Sequence, residues 1–261
     1  NMDKKDYRFT QRPVNKRSND ASMIYGIRAI IEAITSGHDL EKIFIQKSLK
    51  GDLIDELMEL VNKTSAPVST VPIEKLNGLT RKNHQGTVAF ISPVKYHDLS
   101  NLLASTYEEG KVPLFLVLDR ITDVRNFGAI ARSAEAMGVN GILIPTKNAA
   151  QINADSIKTS AGALTQIPVA RMTNLTEGIT YLQSAGCKVM ACTEKGTQEI
   201  SKIDLRDPVA LVFGSEEDGI DGAILKFVDH HITIPMRGKM SSLNVSVATS
   251  ICIYEANRQR Y

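Results

Sequence analysis

Residues 234–248 read Ile234-Pro235-Met236-Arg237-Gly238-Lys239-Met240-Ser241-Ser242-Leu243-Asn244-Val245-Ser246-Val247-Ala248, which has the form of a strand end, a polar loop and a helix start. The strand is predicted over Ile232 to Ile234 and the helix over Val245 to Ala256. Either Ser242 or Asn244 can cap that helix through its side-chain oxygen. Open parallel sheets bind ligands at such loops, beyond the carboxyl ends of the strands. This stretch is therefore the first candidate binding site.

Apolar strands of the same kind precede this stretch, with helical segments between them. Their apolar residues run together instead of alternating, which is typical of strands buried on both faces of a parallel sheet. The sequence therefore predicts an α/β fold, a parallel sheet covered by helices, over residues 113–261. The other predicted strands are Leu114 to Leu118, Ile142 to Ile144, Lys188 to Ala191 and Val209 to Phe213, and the other helices are Ala129 to Met137 and Leu175 to Ser184.

A smaller α/β unit is predicted over residues 22–93, where helical and strand-like apolar patterns alternate. Residues 94–112 then turn polar, and we interpret them as a linker with a short helix at Leu102-Leu103. In the smaller unit the predicted helices are Ile27 to Ile34, Leu53 to Val61 and Ile73 to Leu79, and the strands are Ile43 to Ile45, Val68 to Val71 and Val88 to Ile91.

The first 21 residues are basic and show almost no apolar periodicity. Met2 to Asn19 contain six Lys or Arg residues against two Asp residues. We predict a disordered basic arm over 1–21, which is either a solvated tail or a contact to RNA phosphates.

The composition predicts a protein that stays outside membranes. The chain has 261 residues and a formal net charge of +2. No apolar run approaches the ~18 residues of a membrane span, and none follows the amino terminus as in a signal peptide. Cys187, Cys192 and Cys252 lie in apolar surroundings and are too few for a disulfide framework. We therefore expect a cytoplasmic location and no membrane partner.

Common cofactor and metal motifs are absent from the sequence. The segment after the first large-unit strand, Asp119 to Gly128, lacks the Gly-x-Gly-x-x-Gly pattern of dinucleotide sites, and no phosphate-binding Gly-x-x-x-x-Gly-Lys-Ser/Thr loop occurs. Cys187 and Cys192 flank a predicted strand, and His230-His231 point to opposite faces of another. No metal site is predicted.

Two further polar segments follow apolar strands, Asp119 to Arg132 and Gly214 to Ile220. In the first, Arg132 lies about one and a half turns into a helix that starts near Asn126, so it can point back at a ligand on the loop. In the second, the glycines allow close backbone approach, and the carboxylates favour a ligand hydroxyl or cationic group over a phosphate.

Each residue also has a plain structural interpretation: a helix cap for Asn126, Ser242 and Asn244, a surface ion pair for Arg132, and an exposed loop charge for Glu216.

Taken in order, three segments resemble the motifs of the SpoU (TrmH) RNA ribose methyltransferases. Glu217 stands where that family usually has Gly, which predicts an altered loop if the position needs a positive φ, and Arg125 stands where many relatives have Pro. The matching segments are Asn126-Phe127-Gly128-Ala129-Ile130-Ala131-Arg132, then Phe213-Gly214-Ser215-Glu216, then Ile234-Pro235-Met236 with Ser241-Ser242-Leu243-Asn244-Val245-Ser246-Val247-Ala248. Ile24-Tyr25-Gly26 and His84-Gln85-Gly86 also resemble the substrate-binding domain of the subgroup that methylates a guanosine of large-subunit ribosomal RNA.

The resemblance implies a SPOUT-type α/β-knot methyltransferase domain and a small ribosomal-protein-like domain that binds RNA. It implies transfer of a methyl group from S-adenosylmethionine to the ribose 2′-hydroxyl of a guanosine in 23S ribosomal RNA, without metal. It leaves open which group accepts the hydroxyl proton. By motif matching, the cofactor-binding positions are Gly214, Ile234, Met236, Leu243 and Asn244, and the catalytic positions are Asn126, Arg132, Glu216, Ser242 and Asn244.

The resemblance also implies partners. Substrate RNA is expected to contact Arg81, Lys82, His84 and Gln85. In the family, the cofactor pocket lies at a subunit interface. The helix predicted over Val245 to Tyr254 carries more apolar positions than one buried face needs. A homodimer is therefore predicted, unless both faces of this helix pack within one subunit.

Two other functions stay open at this point. One is a tRNA ribose methyltransferase with the same catalytic domain, against which residues 22–93 argue because such relatives often lack this unit. The other is a non-catalytic RNA-binding protein, against which the intact motif residues argue.

Overall fold

The computed structural model describes residues 22–261, which contain a four-stranded and an eight-stranded β-sheet. The predicted basic arm, 1–21, lies outside the described residues. The elements of the smaller unit are β1 (Met23–Tyr25), α1 (Ile27–Thr35), β2 (Leu40–Gln46), α2 (Asp52–Val61), β3 (Val68–Val71), α3 (Ile73–Leu79) and β4 (Thr87–Ile91).

Both faces of the four-stranded sheet are covered by helices. Its strand order is β1-β4-β2-β3, with β2 and β3 parallel and the other neighbours antiparallel. Ile30 of α1 and Leu57 of α2 are fully buried with Ile43 on one face, and Leu76 of α3 packs with Phe44 on the other. The predicted helices and strands of this unit are confirmed, and β1 is an additional strand that is too short to show a periodic pattern.

The eight-stranded sheet confirms the predicted parallel α/β architecture. Its order is β10-β12-β9-β11-β6-β7-β8-β5, and every pair of neighbours is parallel. The strands are β5 (Tyr96–His97), β6 (Leu114–Asp119), β7 (Gly141–Pro145), β8 (Val169–Met172), β9 (Lys188–Cys192), β10 (Gln198–Glu199), β11 (Val209–Gly214) and β12 (His230–Thr233). The helices are α4 (Leu99–Glu108), α5 (Val124–Ala136), α6 (Ala154–Thr159), α7 (Leu175–Ser184), α8 (Gly222–Leu225) and α9 (Val245–Arg260).

Side chains of the central strands fill two cores, one on each face of this sheet. In β6, Leu116 belongs to the core beneath α5 and α9, whereas Phe115 and Val117 belong to the core beneath α4 and α7. Burial on both faces is the reason that these strands carry continuous apolar residues. Because all strands run in one direction, their carboxyl ends lie along one edge of the sheet.

The expected linker, 94–112, is the main correction to the predicted fold. It holds β5, which pairs with β8, and the ten-residue helix α4, which buries Leu99, Leu102 and Leu103 in the core of the large sheet. The polar residues that suggested a linker lie on the exposed side of this helix. The predicted short helix is therefore one part of a longer element that belongs to the larger unit.

Helices α5 and α9 pack against each other and bring distant parts of the chain together. Ser250 Oγ lies 2.8 Å from Ser133 Oγ, and Asn257 Nδ2 donates to Met137 O at 2.7 Å. Helix α5 begins at Val124, earlier than predicted, because Asp123 caps it by accepting from two backbone N–H groups. Within residues 22–261, none of the helices combines the length and the apolar character that crossing a membrane requires.

Candidate active site

A pocket of about 590 Å³ opens at the carboxyl edge of the large sheet, beyond β9, β11 and β12. Its walls are the loop 214–220 that follows β11 and the loop 234–244 that follows β12, and Cys192 and Cys252 also line it. The five predicted cofactor-binding positions, Gly214, Ile234, Met236, Leu243 and Asn244, all line this one pocket.

Loop 214–220 folds back tightly on the end of β11. A Cβ atom on Gly214 would lie 2.1 Å from the carbonyl carbon of Gly219, so only glycine fits there. Ser215 and Gly219 form a β-bridge, and Gly219 adopts a φ of +68°. Glu217 is not among the residues with a positive φ, so its side chain adds no left-handed strain to this loop.

Asn244 joins the three motif segments. Its Nδ2 donates to Asn126 Oδ1 at 3.0 Å and to Glu216 Oε1 at 2.5 Å. Its Oδ1 accepts from the backbone N–H of Ser246 at 2.9 Å and so caps α9. The helix-cap interpretation is therefore correct for Asn244 but incomplete, and it is wrong for Asn126, because Asp123 caps α5.

Two residues at the end of β6 support loop 214–220 from outside the pocket. Asp119 is 4% exposed, and its Oδ2 accepts from the backbone N–H of Asp221 at 2.7 Å. Arg120 bonds the same carboxylate and donates from Nη2 to Gly219 O at 3.1 Å, and its hydrogen bond with Asp119 raises its pKa. Sequence reasoning missed this pair, although a carboxylate that ends an apolar strand was a usable signal.

Arg132 and Ser242 stand apart from the network around Asn244. Both are exposed, and within residues 22–261 neither side chain makes a hydrogen bond or an ion pair. Arg132 lies eight residues after Val124, slightly more than two turns into α5. The structure thus brings together Asn126, Glu216 and Asn244, and leaves the Arg132 guanidinium without a partner in this part of the chain.

The Cys192 thiol at the pocket is not a reactive nucleophile. Burial and the neighbouring Cys252 thiol raise the pKa of Cys192 well above its ordinary value, so Cys192 is neutral at physiological pH. Across the described residues, no three His, Cys, Asp or Glu side chains come together in a way that could hold a metal ion. The polar groups that line the pocket are amides, hydroxyls, carboxylates and the ammonium group of Lys195.

His84, one of the expected RNA contacts, is buried within its own loop. His84 is 8% exposed, and its ring nitrogens are both bonded, Nε2 to Asn77 Oδ1 at 2.9 Å and Nδ1 to the backbone N–H of Gly86 at 3.0 Å. These two bonds shape the turn that ends at Gly86, and the expected contact of His84 with RNA stays a prediction. Arg81, Lys82 and Gln85 are exposed on the same loop, and their contact with RNA stays a prediction.

Two sequence-family models match the chain. Residues 113–254 match the SpoU rRNA Methylase family. Residues 23–97 match the model described as RNA 2′-O ribose methyltransferase substrate binding.

Individual proteins are similar over most of the chain. A putative TrmH family tRNA/rRNA methyltransferase of Staphylococcus saprophyticus is 37% identical over 238 residues, which cover 91% of this chain and 96% of that protein. The crystal structure of the SpoU methyltransferase AviRb from Streptomyces viridochromogenes, in complex with AdoMet, is 25% identical with a TM-score of 0.57 and covers 91% of this chain and 90% of that one. The crystal structure of an A. aeolicus TrmH/SpoU tRNA modifying enzyme is 30% identical with a TM-score of 0.53, and covers 62% of this chain and 84% of that one.

Proposed function

The chain belongs to the SpoU rRNA Methylase family of RNA 2′-O-methyltransferases, and on that premise we propose that it methylates the ribose 2′-hydroxyl of a guanosine in 23S ribosomal RNA. The observation that carries this proposal is the bridge from Asn244 to Asn126 and Glu216, beside the 590 Å³ pocket. A scaffold that only binds RNA has no need for this bridge, which argues against the non-catalytic alternative.

S-adenosylmethionine is the proposed methyl donor, and the pocket suits it in size and chemistry. Its volume lies within the range of roughly 300–1,000 Å³ that is usual for small-molecule sites. Ile234 and Leu243 offer apolar cover for an adenine ring, and Gly214 lets a ligand approach the backbone closely. Glu216 and Asp218 place carboxylates on the lining, which favours a ligand that carries positive charge. No metal takes part in this proposal.

In the proposed reaction, the ribose oxygen attacks the methyl carbon in line as the carbon–sulfur bond breaks. The hydroxyl must lose its proton as the new bond forms, and the reacting atoms must be held in near-attack geometry. Asn126, Glu216, Ser242 and Asn244 are proposed to hold the loops and the ribose in register. Three of these four are already joined by hydrogen bonds, which supports a preorganised site.

Arg132 is proposed to bind the phosphate next to the target ribose and to stabilise the developing alkoxide. An arginine side chain stays protonated in proteins, so we assign it no role as a base. Its planar fork matches a phosphate, and its lack of partners within residues 22–261 leaves it available for substrate.

We further propose a homodimer formed through α9. Val247, Ile251 and Tyr254 form one stripe on this helix at i, i+4 and i+7, and they are 47%, 37% and 60% exposed. The opposite side of α9 is buried against α5 and the sheet. An apolar stripe of this kind is covered when a second copy packs against it, in a self-complementary contact beside the pocket.

The ribosomal assignment rests on the smaller unit. The tRNA modifying enzyme from A. aeolicus aligns with 62% of this chain, so part of the chain has no counterpart there. We assign residues 22–93 to RNA binding and the larger unit, 113–261 together with β5 and α4, to catalysis. We expect the enzyme in the reducing cytoplasm. Transfer RNA is the alternative substrate, because the staphylococcal relative is described as a tRNA/rRNA methyltransferase.

Labelled S-adenosylmethionine tests this proposal when it is incubated with the protein and separate pools of undermethylated ribosomal and transfer RNA. We expect label in large-subunit RNA only, and unchanged transfer when a metal chelator is present. Label confined to transfer RNA would overturn the substrate assignment, and no label in either pool, despite cofactor binding by calorimetry, would overturn the enzyme assignment.

A further inference from the structure

A second cleft, of about 600 Å³, lies on the same carboxyl edge of the large sheet. It opens beyond β6, β7 and β8, and its far wall is residues 61–68 of the smaller unit. Loop 214–220 and α8 separate the two cavities, because Ile220 lines the first pocket and Asp221 lines the cleft. Strand β11 of the first pocket and strand β6 of the cleft are hydrogen-bonded neighbours, so the two cavities are adjacent along this edge.

The strand ends that line the cleft have unusual backbone geometry. Arg120 after β6 and Asn148 after β7 both adopt a left-handed conformation, with φ of 56° and 59°. Left-handed residues other than glycine are uncommon, and they are found more often at binding sites. Between these strand ends, Thr146 Oγ1 is the buried side-chain polar atom that has no hydrogen-bond partner among the described residues. Buried polar groups nearly always have partners, so this hydroxyl is an unusual feature of the strand end, although it is itself shielded from the cleft.

The cleft lining combines polar and apolar surface in nearly equal parts, and its two carboxylates are matched by two cationic side chains. Asp119 is already neutralised by Arg120, and the Asp221 carboxylate caps α8 by accepting from the backbone N–H of Ala223. Lys147 is exposed, and within residues 22–261 it forms no ion pair. Amide and hydroxyl side chains make up much of the remaining lining, namely those of Asn62, Thr64, Asn148, Asn174 and Thr176.

Buried bonds fix the two walls of the cleft relative to each other. Arg171 of β8 donates from Nη2 to Leu40 O at 2.8 Å, and its guanidinium lies 3.9 Å from the centre of the Tyr96 ring. The Tyr96 hydroxyl donates to Glu41 Oε1 at 2.6 Å, and Glu41 Oε2 accepts from the backbone N–H of Ile152 at 3.0 Å. Since Leu40 and Glu41 belong to the smaller unit, the cleft is a preformed feature and not a gap between loosely tethered units.

We propose that this cleft binds the single-stranded RNA segment next to the target nucleotide, with Lys147 on a phosphate and Asn148 on a sugar or base edge. The inference rests on the proposed function, because it places this segment beside a ribose held at the first pocket. Amide and hydroxyl groups suit the base edges and 2′-hydroxyls of unpaired RNA. RNA is favoured over a protein partner because the cleft shares one edge of the sheet with the first pocket and exposes the Lys147 ammonium group.

The test of this inference is the binding of an unmodified large-subunit ribosomal RNA transcript, measured by filter retention. The salt concentration is varied between roughly 50 and 200 mM, the range over which phosphate contacts change the affinity strongly. The variants are Lys147→Ala and Asn148→Gly, the latter chosen because glycine keeps the left-handed backbone and removes only the side chain. The control is Lys188→Ala, since Lys188 lies at the amino end of β9, on the opposite edge of the sheet, in an exposed ion pair with Asp207.

We expect Lys147→Ala to weaken RNA binding about five- to tenfold and to reduce the slope of log K against log salt by about 0.7, the value of one phosphate contact on a single strand. Asn148→Gly is expected to weaken binding about two- to tenfold with the slope unchanged, as befits an uncharged hydrogen bond. Lys188→Ala should leave both quantities unchanged. Melting temperature and S-adenosylmethionine affinity should be unchanged in all three variants.

Wild-type affinity and slope in both cleft variants would overturn the inference and leave a protein partner as the other occupant. Methyl transfer by the wild-type protein to the same transcript separates this failure from that of the proposed function. If the wild type transfers methyl groups while the cleft variants bind normally, only the cleft inference fails. If the wild type transfers none while the cleft variants lose affinity, only the proposed function fails.

Discussion

Gly214→Ala is the substitution that most directly probes the wall of the first pocket. The new Cβ would lie 2.1 Å from the carbonyl carbon of Gly219 and 2.2 Å from the backbone nitrogen of Ile220. Both atoms belong to the backbone, so no side chain can rotate away to relieve the clash. Loop 214–220 must instead lift from the end of β11, which moves Glu216 away from Asn244.

The size of the effect follows from the cost of overpacking, typically about 1–3 kcal/mol. For a domain of roughly 150–250 residues, each 1 kcal/mol lowers Tm by about 2–4 °C, so Tm should fall by roughly 2–12 °C. Because the displaced loop is one wall of the pocket, S-adenosylmethionine affinity should fall about tenfold or more. Thermal unfolding and isothermal calorimetry measure these two quantities.

Gly222→Ala is the matched control, since a Cβ at that position meets no atom within 4 Å. It should leave both Tm and cofactor affinity close to those of the wild type. If Gly214→Ala also kept wild-type values of both, the tight closure of this loop and its role in the pocket would be refuted.

Three further predictions concern other parts of the molecule. Asn244→Ser should keep the α9 cap but lose the bridge to Asn126 and Glu216, so methyl transfer should fall at least about tenfold while Tm stays nearly unchanged. Asn244→Ala should in addition lose about 0.5–2 kcal/mol of stability, because it also removes the cap. Equal activity of Asn244→Ser and wild type would contradict the bridging role. Arg132→Ala should abolish transfer with cofactor affinity and Tm within error, and Arg132→Lys should restore little, because a point charge does not reproduce a planar fork; near-normal turnover of the lysine variant would exclude this geometry. Burial raises the pKa of the Cys187 thiol to about 11, so alkylation of Cys187, followed by mass spectrometry, should be slow at pH 8 and accelerate toward pH 11. The free energy of unfolding should fall over the same interval, because the thiol of the unfolded chain ionises at a lower pH than that of the folded chain. Rapid labelling of folded protein at pH 8 would show that this site is not buried.

The large sheet was predictable because its strands are buried on both faces. That burial requires continuous apolar residues, and these are visible in the sequence for β6, β7, β9 and β11. Strand β8 is hard to predict because Arg171 interrupts its apolar run. This arginine is buried because Leu40 O of the smaller unit and the Tyr96 ring of β5 are its partners. No local pattern reveals a partner that lies more than a hundred residues away.

Polar surroundings also concealed helix α4. Leu99, Leu102, Leu103 and Thr106 are buried at helical spacing, yet the residues between them are polar and the segment reads as a linker. The helical spacing of these buried residues is therefore a better guide to this segment than its polar composition.

The candidate site was predictable as a set of segments but not as a bonded network. Resemblance placed Asn126, Glu216 and Asn244 together, and the structure adds the bonds between them. Asp119 and Arg120 lie outside the matched motifs, so only the fold reveals that they hold loop 214–220. The resemblance places His84 among the expected RNA contacts, whereas its burial and its two bonds can be seen only in three dimensions.

The central claim is that this chain places a methyl group on a guanosine ribose of large-subunit ribosomal RNA. The most direct test compares ribosomal RNA from a strain that lacks the protein with RNA from its parent. Both are digested with nucleases and analysed by mass spectrometry. We predict the loss of one 2′-O-methylguanosine from large-subunit RNA, restored by the wild-type protein and not by Arg132→Ala. Loss of a base-methylated nucleotide, or an unchanged set of ribose methylations in large-subunit RNA, would contradict it.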